Sequence, residues 1–143
     1  MRRQIVDIMQ PLTDEQILRI PDGLGNNILW NAGHVLVTQQ LLCYGLTGQD
    51  MHIPDELVSM FRKGSSPKEW AAQPSPEFIV ENLIETAAKL ADDYKSGKFE
   101  KKFREYETSV GITLKTIDDG LKFNSLHESI HLGIIRTIRN LIV

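Results

Sequence analysis

Helical periodicity of the apolar residues constrains the fold of this chain more than any other feature. Three long segments show it: residues 26–46, residues 75–97, and a last segment that starts at Thr116 or Asp118. The apolar positions of the stripes are Ile28, Leu29, Ala32, Val35, Leu36 and Leu42, then Ile79, Leu83, Ala87, Leu90 and Tyr94, then Leu121, Leu126, Ile130, Ile134, Ile135, Ile138 and Leu141. The sequence therefore predicts three long amphipathic helices.

Shorter helical segments precede and separate these helices. Residues 2–10 have the spacing of a short amphipathic helix, which a proline interrupts. Thr13 followed three places later by Gln16 resembles a capping box and begins a second short piece. The sequence also predicts a short helix over residues 54–61, because its first residue is a proline and two acidic residues follow.

Two longer connections join these segments. We interpret residues 47–75, which are rich in glycine and proline, as irregular. Residues 98–116 are interpreted as an ordered loop; Val110–Leu114 alternates like a strand, but the sequence offers it no partner. The prediction is one all-α domain over residues 1–143, a four-helix bundle with long connections.

Composition narrows the class of protein. The chain has 143 residues and a formal charge of −3, with no concentrated basic surface, so we expect no nucleic-acid partner. No apolar run approaches the roughly 18–20 residues of a membrane span, so we expect no membrane partner. The single cysteine, Cys43, fits a reducing, cytoplasmic location and reads as a small buried hydrophobe rather than a reactive thiol.

Two histidines in the last helix have the spacing of metal ligands. His127 and His131 are four residues apart, so both lie on one face, one turn from each other. The string His127-Glu128-Ser129-Ile130-His131 also matches the zinc-protease pattern HExxH. A protease is not supported, because Ile134 and Thr137 stand where the extended motif needs Gly and His, and no carboxylate follows Glu128.

A third histidine lies on the other strongly apolar helix. His34 flanks its apolar stripe, and His127 and His131 lie between Leu126, Ile130 and Ile134, which indicates that all three point inward. Three imidazoles on two facing helices can supply a three-nitrogen metal site with open positions for water. The alternative is a pair of partly exposed histidines on an amphipathic helix that bind no metal.

The order of these motifs resembles the DinB-like superfamily. Its members are four-helix bundles with one metal-binding histidine early and an HxxxH pair late. The resemblance covers nearly the whole chain and rests on Leu12–Leu18, Trp30–His34, Val110–Leu114 and His127–Gly133. It implies a bundle of the up-down-down-up type.

The resemblance also implies a set of ligands and a range of activities. The ligands are His34, His127 and His131, and the cofactor is a divalent ion, with zinc, nickel and iron all found among relatives. Some relatives transfer low-molecular-weight thiols such as bacillithiol or mycothiol, and some sulfoxide synthases hold iron in this way. A homodimer is expected too, although the first helix, broken at Pro11, departs from the family pattern.

Several residues are candidates for contacts around the site. Trp30 lies one turn before His34 and Thr38 one turn after it, and Asn124 lies one turn before His127. Each can wall the pocket or orient an imidazole, although helix packing alone accounts for them equally well. Glu128 is expected to point away from the metal, because neighbouring helical residues diverge by about 100°.

The connection 47–75 is the expected cover of the substrate site, with its aromatic residues Phe61 and Trp70. His52 in the same connection is expected at the surface.

Two functional hypotheses follow. The first is a metal-dependent enzyme that acts on a small molecule, as a thiol transferase or a hydrolase, because a cation held by neutral imidazoles keeps its full charge for chemistry. The second is a non-catalytic sensor or assembly domain with a structural metal, since no general base or nucleophile is identifiable. The catalytic residues beyond the metal ligands stay unassigned.

Overall fold

The computed structural model describes residues 1–99 and 102–143. Within them, six α-helices account for most of the chain: α1 (Arg2–Met9), α2 (Asp14–Leu18), α3 (Ile28–Gln39), α4 (Asp55–Phe61), α5 (Pro76–Lys95) and α6 (Ile117–Ile142). A π-helical segment, Gln40–Gly45, continues α3, and a short 3-10 helix spans Pro67–Glu69. The predicted all-α class is confirmed.

Local capping residues explain where several helices begin. Thr13 and Gln16 form the predicted capping box of α2. Ser75 caps α5, and Pro76 occupies its first turn. Thr116 caps α6 in a second capping box with Asp119, which settles the start that the sequence left between Thr116 and Asp118.

Helix α3 is the centre of the molecule. Nearly every one of its residues is buried, and it packs against α4, α5 and α6. Helix α1 packs against α5 and α6. The main apolar core includes Ile28, Leu29, Val35 and Leu36 of α3 with Ile5, Ile79, Leu83, Ile135 and Ile138 from the surrounding helices. Because α3 is enclosed, a polar side chain on it must find a partner inside the protein.

The connection before α6 contains a pairing that the sequence analysis missed. Strand β1 (Tyr106–Glu107) pairs antiparallel with β2 (Thr113–Leu114), with Tyr106 opposite Leu114. Gly111 supplies the positive φ of +76° in the turn between them. The expectation of a strand without a partner was therefore wrong, because the partner lies inside the same connection. The residues 100 and 101 of that connection lie outside the described part of the chain.

The buried face of α6 also differs from the expected one. Leu126 and Ile130 are 51% and 54% exposed, and Ile134 is exposed as well. The buried row contains two polar residues, Asn124 and Glu128, followed by Leu132, Ile135, Ile138 and Ile142. The histidines thus lie beside this buried row and not between inward-facing leucine and isoleucine side chains.

An ion pair accounts for the burial of the Glu128 side of α6. Arg2 is 5% exposed, and its Nε donates to Glu128 Oε1 over 2.8 Å. Its guanidinium also donates to Thr86 Oγ1 and to the backbone carbonyl of Leu83. A buried charge needs such partners, so this cluster ties α1, α5 and α6 together and sets which side of α6 faces inward.

Each helix of the described residues is either too short or too polar to span a lipid bilayer.

Candidate metal centre

The three predicted histidines meet where α3 packs against α6. His34 comes from the middle of α3, and His127 and His131 come from successive turns of α6. His34 Nε2 lies 3.2 Å from His127 Nε2, and the ring centroid of His131 is 4.8 Å from that of His34 and 4.4 Å from that of His127. One ligand atom from each residue lies within 4.8 Å of the other two. The fold thus joins residues that are far apart in the sequence.

Hydrogen bonds hold two of the rings through their Nδ1 atoms. His34 Nδ1 donates to the backbone carbonyl of Phe61 over 2.7 Å. His131 Nδ1 donates to Asn31 Oδ1 over 2.8 Å. The Asn31 side-chain nitrogen donates to the carbonyl of Asn27, so its oxygen is the atom left to accept from His131. A proton on each Nδ1 leaves each Nε2 with a free lone pair.

His127 is the ring whose polar atoms are not fully satisfied. Its Nδ1 is buried and has no hydrogen-bond partner. Its Nε2 faces the lone pair of His34 Nε2. Asn124 Oδ1, one turn earlier on α6, is also buried without a partner. Buried polar atoms normally find partners, so the Nδ1 of His127 and the Oδ1 of Asn124 each keep an unused hydrogen-bonding capacity.

Burial keeps all three imidazoles neutral at physiological pH. It lowers the pKa of His34. It lowers the pKa of His127 to about 4, and the nearby charge of His34 adds to the effect. It lowers the pKa of His131 to about 3, again with help from its two histidine neighbours. Metal ions bind the neutral imidazole, so no proton must leave before an ion binds at pH 7.

The donor set fits a divalent ion. Two nitrogens about 2.1 Å from one tetrahedral ion lie about 3.4 Å apart, close to the observed 3.2 Å between the Nε2 atoms of His34 and His127. In the absence of an ion, His127 Nε2–H can donate to His34 Nε2, so an ion would replace this hydrogen bond with two coordinate bonds. Three imidazoles suit zinc, nickel and iron alike, so the ligands do not select among them.

The acceptor for His34 depends on close packing of α4 against α3. A Cβ atom on Gly33 would lie 2.6 Å from Phe61 Cγ, where the ring now sits. Phe61 is fully buried and ends α4. Only glycine at position 33 allows this ring, and with it the carbonyl bonded to His34, to approach so closely.

Sequence reasoning missed three contributors: Asn31, Gly33 and the carbonyl of Phe61. A signal for Asn31 was present in the sequence, because it lies about one turn before His34 on a strongly apolar helix. The other two left none, because a backbone carbonyl and a close approach have no side-chain signature.

The three residues predicted to lie around the site make different contacts in the structure. The Trp30 ring stacks on His34 at 4.7 Å between centroids and 11° between planes. Thr38 lines a cavity beside the histidines. Asn124 donates to Glu128 Oε1, so its amide group belongs to the Arg2–Glu128 cluster, and none of its hydrogen bonds reaches an imidazole.

Glu128 points away from the histidines, as expected, and is 6% exposed. Its carboxylate accepts from Arg2 and from Asn124. It is an interhelical carboxylate and not a base at the candidate centre.

Three residues of the connection 47–75 also lie away from the cavity. Phe61 and Trp70 pack on each other at 5.2 Å, and neither lines the cavity. Lys63 of the same connection does line it, and the expectation that the connection covers a substrate site stays a prediction. His52 Nε2 lies 3.3 Å from the Asp93 carboxylate, in a separate cluster.

Cys43 has the structural role expected of it. It is fully buried, and burial raises the pKa of its thiol to about 12. A thiol in this state is unreactive.

A cavity of about 270 Å³ opens against two of the histidines, His34 and His127. The π-helical segment and the residue after it form an apolar wall with Leu42 and Leu46, and Phe123 of α6 adds to it. A small, mostly apolar cavity with a few polar groups is typical of a ligand site.

The fold and these ligands define a class: helical proteins with a three-histidine centre suited to a divalent ion. A family model described as the DinB superfamily matches residues 1–135, and the chain belongs to that superfamily. A comparison of the sequence with curated proteins finds no significant match.

Proposed function

We propose that this protein is a metal-dependent enzyme that acts on a small molecule, as a transferase of low-molecular-weight thiols or as a hydrolase. The observation that carries the proposal is the convergence of His34, His127 and His131, two of which, His34 and His127, line a cavity. A divalent ion held there by neutral imidazoles would lower the pKa of a thiol or a water.

The neighbouring residues would position the proposed ligands and shape the surroundings of the substrate. Phe61 and Asn31 hold two imidazoles in the tautomer that leaves Nε2 free. The Trp30 ring lies flat against His34 and restricts its rotation. The apolar wall, with Leu42 and Phe123, would exclude water from the bound substrate.

Metal analysis of protein purified without an affinity tag or added metal tests the ligand set. We expect close to one ion per chain. His127→Ala should abolish this occupancy, and His52→Ala is the matched control, because His52 contacts Asp93 away from the cluster. Full occupancy in His127→Ala would refute the site.

The reaction class is tested with a panel of small thiols and acceptor substrates, and with ester and amide substrates for hydrolysis. Turnover by the metal-loaded protein, loss after chelation and recovery after metal is added back would support an enzyme. The homodimer expected from the resemblance stays a prediction.

A structural metal is the second candidate function. The ligands come from α3 and α6, so an ion would cross-link the two long helices, and no carboxylate among the described residues lines the cavity. Under this alternative, the domain senses metal or assembles with a partner. Unfolding on metal removal, with no turnover by the holoprotein, would favour it, whereas a folded apoprotein whose activity returns with metal would exclude it.

A further inference from the structure

The cavity beside the histidines is also lined by two basic residues. Lys63, from the turn after α4, and Arg104, from the segment before β1, both line it. Three hydroxyl-bearing residues line it too: Tyr106, Thr108 and Ser109. Neither cation forms an ion pair with any acidic residue of the described ranges.

In the extended segment 104–108, which includes β1, the basic and acidic residues lie on opposite sides. Arg104, Tyr106 and Thr108 line the cavity, whereas Glu105 and Glu107 do not. Alternate side chains of an extended chain point in opposite directions. The alternation therefore turns the positive charge toward the cavity and the negative charges away from it.

The segment is anchored at two points. The backbone N–H of Arg104 donates to the Leu46 carbonyl over 2.7 Å. Thr108 Oγ1 accepts from the backbone N–H of Ile112 over 3.0 Å. Arg104 thus extends from a fixed backbone next to the apolar wall, and a ligand does not have to order that backbone before it binds.

The charges of the cavity differ from those of the whole chain. The protein carries −3 overall, but the described lining has two permanent cations and no carboxylate. Arginine and lysine side chains bind carboxylates by charge-assisted hydrogen bonds, and the apolar residues of the same lining suit a hydrocarbon segment.

We propose that the cavity binds a small organic carboxylate, with its carboxylate against Lys63 and Arg104 and its apolar part along Leu42, Leu46 and Phe123. The identity of the group that would lie near the histidines, a thiol or a hydrolysable bond, rests on the proposed function. The assignment of the carboxylate does not rest on it. The substrate class is thus a small carboxylate with an apolar segment.

The first experiment uses metal-free protein, so that it does not depend on the histidines. Hexanoate and hexanol are titrated separately, and backbone amide shifts are followed by NMR. We expect shifts at Leu46, Arg104 and Thr108, with hexanoate binding about three- to tenfold more tightly than hexanol, the size expected for one or two exposed charge pairs. This preference should shrink as ionic strength rises from about 0.01 M to about 1 M.

Charge-removing variants identify the groups responsible. Lys63→Gln and Arg104→Gln should each lower the preference for hexanoate by about two- to fivefold. Arg62→Gln is the matched control: it removes a cation one residue from Lys63 that does not line the cavity. Equal binding of hexanoate and hexanol, or a preference that survives both cavity variants, would overturn the proposal.

A second arm separates this inference from the proposed function. Zinc-loaded protein is titrated with mercaptohexanoate and mercaptohexanol. Binding of both thiols without a carboxylate preference would overturn the carboxylate assignment but support the metal site. A carboxylate preference in metal-free protein, with no thiol binding by protein incubated with zinc, would support the assignment and refute thiol activation.

Discussion

Gly33→Ala is a one-carbon change that tests how the candidate centre is positioned. The added Cβ would lie 2.5 Å from Phe61 Cε1 and 2.6 Å from Cγ. Ordinary contacts need about 3.5–4.0 Å, so the ring must move by about 1 Å. Phe61 is fully buried, and its carbonyl accepts from His34 Nδ1. Moving the ring therefore shifts the acceptor that orients a proposed ligand.

Two opposing effects set the expected change in stability. Overpacking a core costs about 1–3 kcal/mol. Replacing glycine by alanine inside a helix recovers about 1 kcal/mol. The free energy of unfolding of Gly33→Ala should therefore fall by about 0–2 kcal/mol. Loss of a partner that orients a ligand typically weakens metal binding by about 10–100-fold, so metal affinity should change more than stability.

Urea unfolding of metal-free protein and competition with a chelator measure the two quantities. Gly133→Ala is the control, because Gly133 lies inside α6 and a Cβ there meets nothing within 4 Å. That variant should gain about 0.5–1 kcal/mol and bind metal normally. Wild-type metal affinity in Gly33→Ala would refute the role assigned to the close packing of α4.

The remaining predictions concern other partners of the site. Asn31→Ala removes the acceptor for His131 Nδ1, so the dissociation constant for zinc should rise about 10–100-fold in a chelator competition; an unchanged constant would contradict the assignment. Glu128→Leu leaves the buried Arg2 charge without its carboxylate and should cost about 3–5 kcal/mol in urea unfolding; a loss below about 1 kcal/mol would show that the pair does not set the packing of α6. Metal-free protein should lose stability as pH falls from the ordinary histidine pKa of 6.5 toward the folded values of about 4 for His127 and about 3 for His131, because the unfolded chain binds these protons first. Urea midpoints measured across this range test the sign, and a midpoint that rises with acidity would contradict it.

The sequence alone was enough to predict the helical segments and to select the three histidines that the fold brings together. Helical periodicity and caps are local properties, so residues such as Ser75 and Thr116 mark helix starts without knowledge of the fold. The spacing of His127 and His131 is local in the same sense. His34 could be added because it flanks the apolar stripe of a second core helix.

Tertiary structure decided which side of α6 faces inward. Apolar residues alone favoured Leu126 and Ile130 as buried, yet both are exposed. The inward row contains Glu128 because Arg2 enters the protein from another helix and pairs with it. A sequence pattern cannot show this compensation, since it depends on two residues brought together only by folding.

The surroundings of the histidines were decided in the same way. The Phe61 carbonyl and the Arg104 side chain reach the site from distant segments. Their positions follow from close packing at Gly33 and from a backbone hydrogen bond to Leu46. The identities of the proposed ligands could therefore be predicted from local sequence patterns. The orientation of their rings and the charge of the adjoining cavity depend on contacts between distant segments, which no local pattern encodes.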